Sequence, residues 1–159
     1  MTVHSAWLKE IEETKLNLSK QGIQLQLPPP SLIELKIEYL EITPGKVIKG
    51  KAPFQKRFSN PIHTFQGGFL TAIMDDHFGP LAYLTARSPC TTLNMSMTFL
   101  RPFIEKDEFC IIEAEVLKKS KSFIFMRGII SSINGDILAH SESHVTILKE
   151  DQLKIQVNK

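Results

Sequence analysis

The spacing of apolar residues changes character along the chain. Over residues 4–21, Trp7, Leu8, Ile11 and Leu18 fall near one face at helical period, and Gly22 suits a stop, so an amphipathic helix is expected. LPPPS at 27–31 interrupts the chain as a short stiff linker. From 32 to 42, LIELKIEYLEI alternates: Leu35, Ile37 and Tyr39 point one way, and Glu34, Lys36 and Glu38 the other. That is the pattern of a half-buried strand. TPGK at 43–46 is a turn signal, and KVIKGKAPF returns as the second strand of a hairpin. Residues 55–65 read as loop. Alternation then stops. From Gly68 to about Arg87, apolar residues such as Phe69, Leu70, Ile73, Met74, Phe78 and Leu81 lie on nearly every side. A helix apolar all round is one wrapped by other structure. Pro80 lies inside it, removes one ladder hydrogen bond, and predicts a kink near Gly79-Pro80.

Strand follows strand after that. TTLNMSMTFL (91–100) alternates, setting Leu93, Met95, Met97 and Phe99 against Asn94, Ser96 and Thr98. Met95, Met97 and Phe99, with the helix residues, are expected to form core or to line a tunnel, core being favoured. EFCIIEAEVLKK (108–119) and SFIFMRGIISSI (122–133) are strands joined by a turn at KSKS, and NGD (134–136) turns into ILAHSESHVTIL (137–148). On the last strand, His140 and His144 take the outward register opposite Ile137, Ala139, Val145 and Ile147. The order predicts an α+β fold: about six antiparallel strands curled over one long central helix, with an extra N-terminal helix. Residues 1–30 are read as helix and linker, 31–150 as the domain, and 151–159 as a polar tail.

Composition narrows the function classes only a little. The chain has 159 residues, 42% hydrophobic and 23% charged, which suits one globular domain rather than a disordered chain. With 19 basic and 17 acidic residues the formal charge is +2, so neither nucleic acid nor an anionic membrane is demanded. Cys90 and Cys110 lack metal-type spacing; a reducing cytoplasm is expected, with no disulfide framework and no metal. The charged N-terminus does not read as a signal peptide, and no apolar run is long enough for a membrane helix.

Candidate chemistry concentrates in FQGGFLTAIMDDHFGP, residues 65–80. Gly67 and Gly68 open the buried helix. Its first N–H groups have no intrahelical partner, and glycine lets a ligand oxygen approach them, as anion site or oxyanion hole; a tight turn is the plainer use of the pair. Asp75 and Asp76 sit two turns further in. A carboxylate buried without a partner is costly, so one of them is expected to line a cleft or interface. The other reading has one acid capping backbone freed near Pro80 and the other facing solvent. Adjacent helical residues point about 100° apart, so the two need not share a role. His77 falls on a different helix face.

The stretch NPIHTFQGGFLTAIMD, Asn60 to Asp75, resembles the motif of hot-dog-fold acyl-CoA thioesterases of the phenylacetate-degradation type: Asn, five residues, His-Gly-Gly, six residues, Asp. The likeness continues through DDHFGPLA, TTLNMSMTFLRP and NGDILAHSESHVTIL, covering about residues 33–148. It implies a hot-dog fold and hydrolysis of acyl-CoA without a cofactor. Asp75 would be general base or nucleophile, Gly68 with Gly67 the carbonyl-polarising N–H, and Asn60 a positioner of water or thioester. Thr92 would be a hydroxyl that helps hold the water. It also implies a homodimer or dimer of dimers, with Asp75 of one copy meeting the glycine end of another. Gln66 stands where the family has His, so positioning survives there and proton transfer does not. Asp76 is expected as a nearby structural acid, and His63 as a loop residue within reach of the site. Arg101, Lys119 and Lys121 are candidate cations for CoA phosphates, with Arg127 behind them. Two alternatives stay open: a noncatalytic acyl-CoA-binding hot-dog protein, and, less favoured, a hydratase or dehydratase of the same fold.

Overall fold

The computed structural model describes residues 2–20 and 26–148. Leu18's side chain, Gly22 and the tail expected after 150 lie outside what is described. Helix α1 (Val3–Ser19) and short helix α2 (Pro30–Glu34) precede strands β1 (Glu38–Thr43) and β2 (Val47–Pro53). Helix α3 (Gly67–Ala86) follows, then strands β3 (Cys90–Phe99), β4 (Phe109–Lys119), β5 (Phe123–Ser132) and β6 (Ile137–Ile147). One sheet runs in the order β1-β2-β4-β5-β6-β3, every neighbouring pair antiparallel. The sheet curls around α3, which packs against β2, β3, β4, β5 and β6.

Small residues let that helix come close. Ala114, Gly128 and Ser141 stand side by side across β4, β5 and β6. A Cβ on Gly128 would lie 2.3 Å from Met74 Sδ, and one on Gly50 would lie 2.4 Å from His77 Nε2. Both contacts are far inside van der Waals range, so the sheet is hollowed under the helix by composition rather than by bending alone. Ser141 and Ser143 are buried on this face and donate to Ser96 and Asn94 carbonyls on β3 at 2.6 and 3.2 Å.

The expected strand over 32–42 is corrected: its first part is α2. Pro30 begins the helix, where its fixed φ and missing N–H cost nothing. Lys36 then takes φ 53, and Lys36 and Ile37 N–H groups bond back to Ile33 and Leu32 carbonyls at 3.1 and 3.0 Å. That is a Schellman stop with lysine at the position glycine usually marks. Leu35, Ile37 and Tyr39 are nonetheless buried, as the alternation requires.

Strand β3 is also corrected. Of the residues expected in core or a tunnel, Phe99 is 50% exposed, while Met95 and Met97 pack partly against the core; Leu93 on the same strand is 58% exposed. The reason is position: β3 is an edge, paired to β6 alone, with a register shift between Thr92 and Asn94. His140 and His144 are exposed, as their register predicts, while Ile137 is exposed rather than inward, next to a shift between Ile130 and Ser131. The opposite edge is covered. His4 Nδ1 of α1 accepts the β1 amide of Tyr39 at 3.2 Å, Trp7 meets the Tyr39 ring edge-on at 6.0 Å, and Trp7 and Ile11 are buried.

Candidate active site

The loop before α3 is built by Asn60. Its Oδ1 accepts the Ile62 and Thr64 amides at 3.1 Å each, and its Nδ2 donates to Thr64 Oγ1 at 2.7 Å. The side chain expected to position water thus shapes the turn that delivers Gln66. His63 sits exposed in this turn at φ 62. Gln66 is the N-cap of α3; its carbonyl accepts Phe69 N–H at 3.0 Å, while its exposed side chain caps nothing. Beneath lie Phe54, Phe65 and Phe103, with ring centroids 5.2–5.7 Å apart. This aromatic base fixes the start of α3, and Gly67 and Gly68 follow with the helix's first unpaired N–H groups.

The acid pair divides. Asp75 is exposed, and Thr92 Oγ1 on β3 donates to its Oδ1 at 3.1 Å. Asp76 turns toward α2, where Ser31 Oγ donates to its Oδ1 at 3.0 Å; Oδ2 is buried without a partner among the described residues. Burial pushes the Asp76 carboxyl up to about 6, the Ser31 hydrogen bond opposing and the Asp75 charge adding. The Asp76 carbonyl matters as well. Pro80 has no N–H to give it, and Tyr39's hydroxyl donates to it instead at 2.6 Å. Tyr39 is kept protonated by burial and by the Asp76 charge. His77 is fully buried, donates from Nδ1 to Ile73 O at 2.7 Å, and packs edge-on to Tyr39 at 5.3 Å. Burial lowers it to about 4, so it is neutral at pH 7.

Asp75 and Thr92 are therefore brought together, while Gly68 and Asp75 are not. Seven residues separate them on one helix, a rise of about 10 Å. The candidate cations are also placed. Arg101 grips Asp107 with both terminal nitrogens at 3.0 Å, and its Nε lies 3.8 Å from Asp136, so its fork is committed within the chain. Lys119 donates to Thr85 O at 3.0 Å near the end of α3, and Arg127 pairs with Glu115. Lys121 is exposed in the β4–β5 turn. Ser31 and Tyr39 escape sequence reasoning. Pro80 announces that a carbonyl needs a donor, but nothing local says which residue supplies it.

Residues 64–139 match the family model of the thioesterase superfamily. The domain is a hot-dog fold. No curated protein matches the chain. Among solved structures, the hot-dog domain is similar to the PaaI protein of the E. coli phenylacetic acid degradation operon, at TM-score 0.72 and 13% identity, covering 89% of this chain and 96% of that one. A mutant of the phenylacetic acid degradation protein PaaI from Thermus thermophilus gives TM-score 0.68 and 22% identity, with 76% and 100% covered. AziG of S. sahachiroi gives 0.72 and 14%, with 76% and 98% covered. In the described part of the hot-dog protein, no helix is long and apolar enough to cross a membrane.

Proposed function

We propose that this protein hydrolyses acyl-CoA thioesters to free acid and CoA. The observation that carries the reading is Asp75: an exposed carboxylate flanked on its helix by the buried Ile73, Met74, His77 and Phe78, and held by a hydroxyl on an open strand edge. In the reaction, Gly68 N–H, aided by Gly67 and the α3 dipole, receives the thioester oxygen as it becomes an oxyanion. Asp75 accepts a proton from water, and the water oxygen bonds to the carbonyl carbon. The tetrahedral intermediate then collapses, the C–S bond breaks, and CoA leaves as thiolate to take up a proton. Thr92 fixes the Asp75 carboxylate, and Gln66 orients groups at the helix start without titrating.

The roughly 10 Å rise between Gly68 and Asp75 along one helix is at the limit of what an oxyanion, its carbon and one attacking water can span between donor and base, which favours an Asp75 that serves the Gly68 of another copy. The site is therefore completed by a second copy joined through β3, whose exposed Leu93 gives that edge an apolar surface. The assembly is a homodimer, or a dimer of two such dimers. The two cysteines are free thiols, which suits the cytoplasm.

Thiol release from an acyl-CoA panel tests this. Asp75→Asn and Asp75→Ala should lower kcat by about 10²–10⁴-fold, the usual worth of a positioned base. Asp76→Asn should keep most of the activity. A parent that binds acyl-CoA without hydrolysing it would establish the binding-only alternative, to which the non-titrating Gln66 lends some weight. Activity that survives Asp75→Ala and fails in Asp76→Ala would mean the wrong acid was assigned.

A further inference from the structure

The two glycines that start α3 are not equivalent. A Cβ on Gly67 would lie 2.9 Å from Phe99 Cζ and 3.2 Å from each Cε, so the para edge of that ring points straight at Gly67. A Cβ on Gly68 would meet nothing within 4 Å. Gly67 is bare because a ring occupies its side-chain space, whereas Gly68 faces open space beside the unpaired N–H groups. Phe99 belongs to the last pair of the open edge strand, opposite Ala139, and half of it remains exposed. Phe69, the next residue on the helix after Gly68 and also partly exposed, has its ring tilted against Phe58 with centroids 4.2 Å apart. The open space at Gly68 thus adjoins the Phe99 ring through Gly67.

We infer that Phe99 gauges the acyl group. This rests on the hydrolase reading above. A thioester whose oxygen sits on Gly68 N–H lays its first acyl carbons against the exposed face of the Phe99 ring. The ring's contact with Gly67 stops it from withdrawing toward the helix. Bulk at that end of the acyl group is limited by an aromatic wall, and its removal admits larger groups.

The test compares the parent with Phe99→Ala and Phe99→Leu, resolving kcat and KM for straight-chain acyl-CoA thioesters from acetyl to palmitoyl and for benzoyl- and phenylacetyl-CoA. In Phe99→Ala, the kcat/KM of a bulky, poorly used substrate relative to the parent's best should rise about tenfold or more, the scale on which apolar walls discriminate. Phe99→Leu should fall between. Equal loss on every substrate, or a ranking unchanged within about twofold, overturns the inference even if overall activity changes. If the alanine variant fails to fold, the leucine variant decides by the same ranking. A parent that hydrolyses nothing overturns the hydrolase reading together with this one. A parent that hydrolyses, with rankings unmoved by either substitution, overturns this one alone.

Discussion

Gly50→Ala is a direct probe of how tightly α3 is held. The new Cβ would lie 2.4 Å from His77 Nε2, 3.3 Å from its Cε1 and 3.0 Å from Glu38 O, where ordinary contact begins at 3.4 Å. The imidazole must retreat by about 1 Å or the β1–β2 ladder must open. Retreat strains the 2.7 Å bond to Ile73 O and the edge-on packing against Tyr39, in a site with no exposed surface. Overpacking of this kind costs about 1–3 kcal/mol, and a weakened buried hydrogen bond adds about 1. Alanine's lower unfolded-state entropy returns about 0.4–1 kcal/mol. The expected net loss is about 1–3.6 kcal/mol, a drop in Tm of roughly 2–14 °C for a chain of this size. Urea unfolding at fixed protein concentration, followed by circular dichroism, measures it. Gly128→Ala is the control: its Cβ meets Met74 Sδ at 2.3 Å, but a thioether side chain swings aside more readily than a ring, so the cost should be smaller. In a His77→Ala background, Gly50→Ala should become neutral or stabilising. A Gly50→Ala protein within about 0.5 kcal/mol of the parent, or one less affected than Gly128→Ala, would refute the reasoning.

The other expectations follow from the groups around the acid pair and the Arg101 clamp. Because the folded carboxyl of Asp76 is raised to about 6, its contribution is fully present below its ordinary pKa and lost as pH rises from about 4 to about 6. Asp76→Asn should therefore flatten that window and stabilise the protein at pH 8 by about 1 kcal/mol, allowing for partial exposure; lower stability at pH 8 would contradict this. Tyr39→Phe leaves the Asp76 carbonyl without a donor and should cost about 1–3 kcal/mol. Adding Pro80→Ala, which restores the ladder N–H, should recover part of the loss, and additive losses in urea unfolding would rule out the shared carbonyl. Asp107 has the opposite pH dependence: burial would raise it, but Arg101 and the Ile104 amide hold it below the usual carboxylate range. Its contribution is present at neutral pH and lost as pH falls through the acid range, so Asp107→Asn should narrow the Tm gap to the parent as pH drops toward 3.

Much of this was legible in the pattern of the chain, because burial enforces periodicity. The central helix showed as an apolar run without alternation and lies at Gly67–Ala86, and the NGD and KSKS turns fell between the strands they join. The two errors differ in cause: one is local, the other depends on strands far away in sequence. LIELKIEYLEI alternates correctly, but its first part is helical because of a proline before it and a left-handed lysine within it. TTLNMSMTFL alternates as if half-buried, but the sheet order puts it on an edge. For the site, the division between Asp75 and Asp76 was foreseeable from helix geometry. The commitment of Asn60 to its own loop and of Arg101 to Asp107 was not, since neither Thr64's register nor the 101–107 turn can be read from residue type.

The cover that α1 lays over β1 bears on how many molecules can join. A sheet with two bare edges is bivalent and adds copies without end, as fibrils do. Here the Tyr39 amide is already taken by His4, and α1 packs against β1. Among the described residues, β3 is the other edge, paired to β6 alone, so a sheet closed at β1 would be monovalent. Strand pairing between copies through that edge consumes the edge itself, so such growth terminates at a pair.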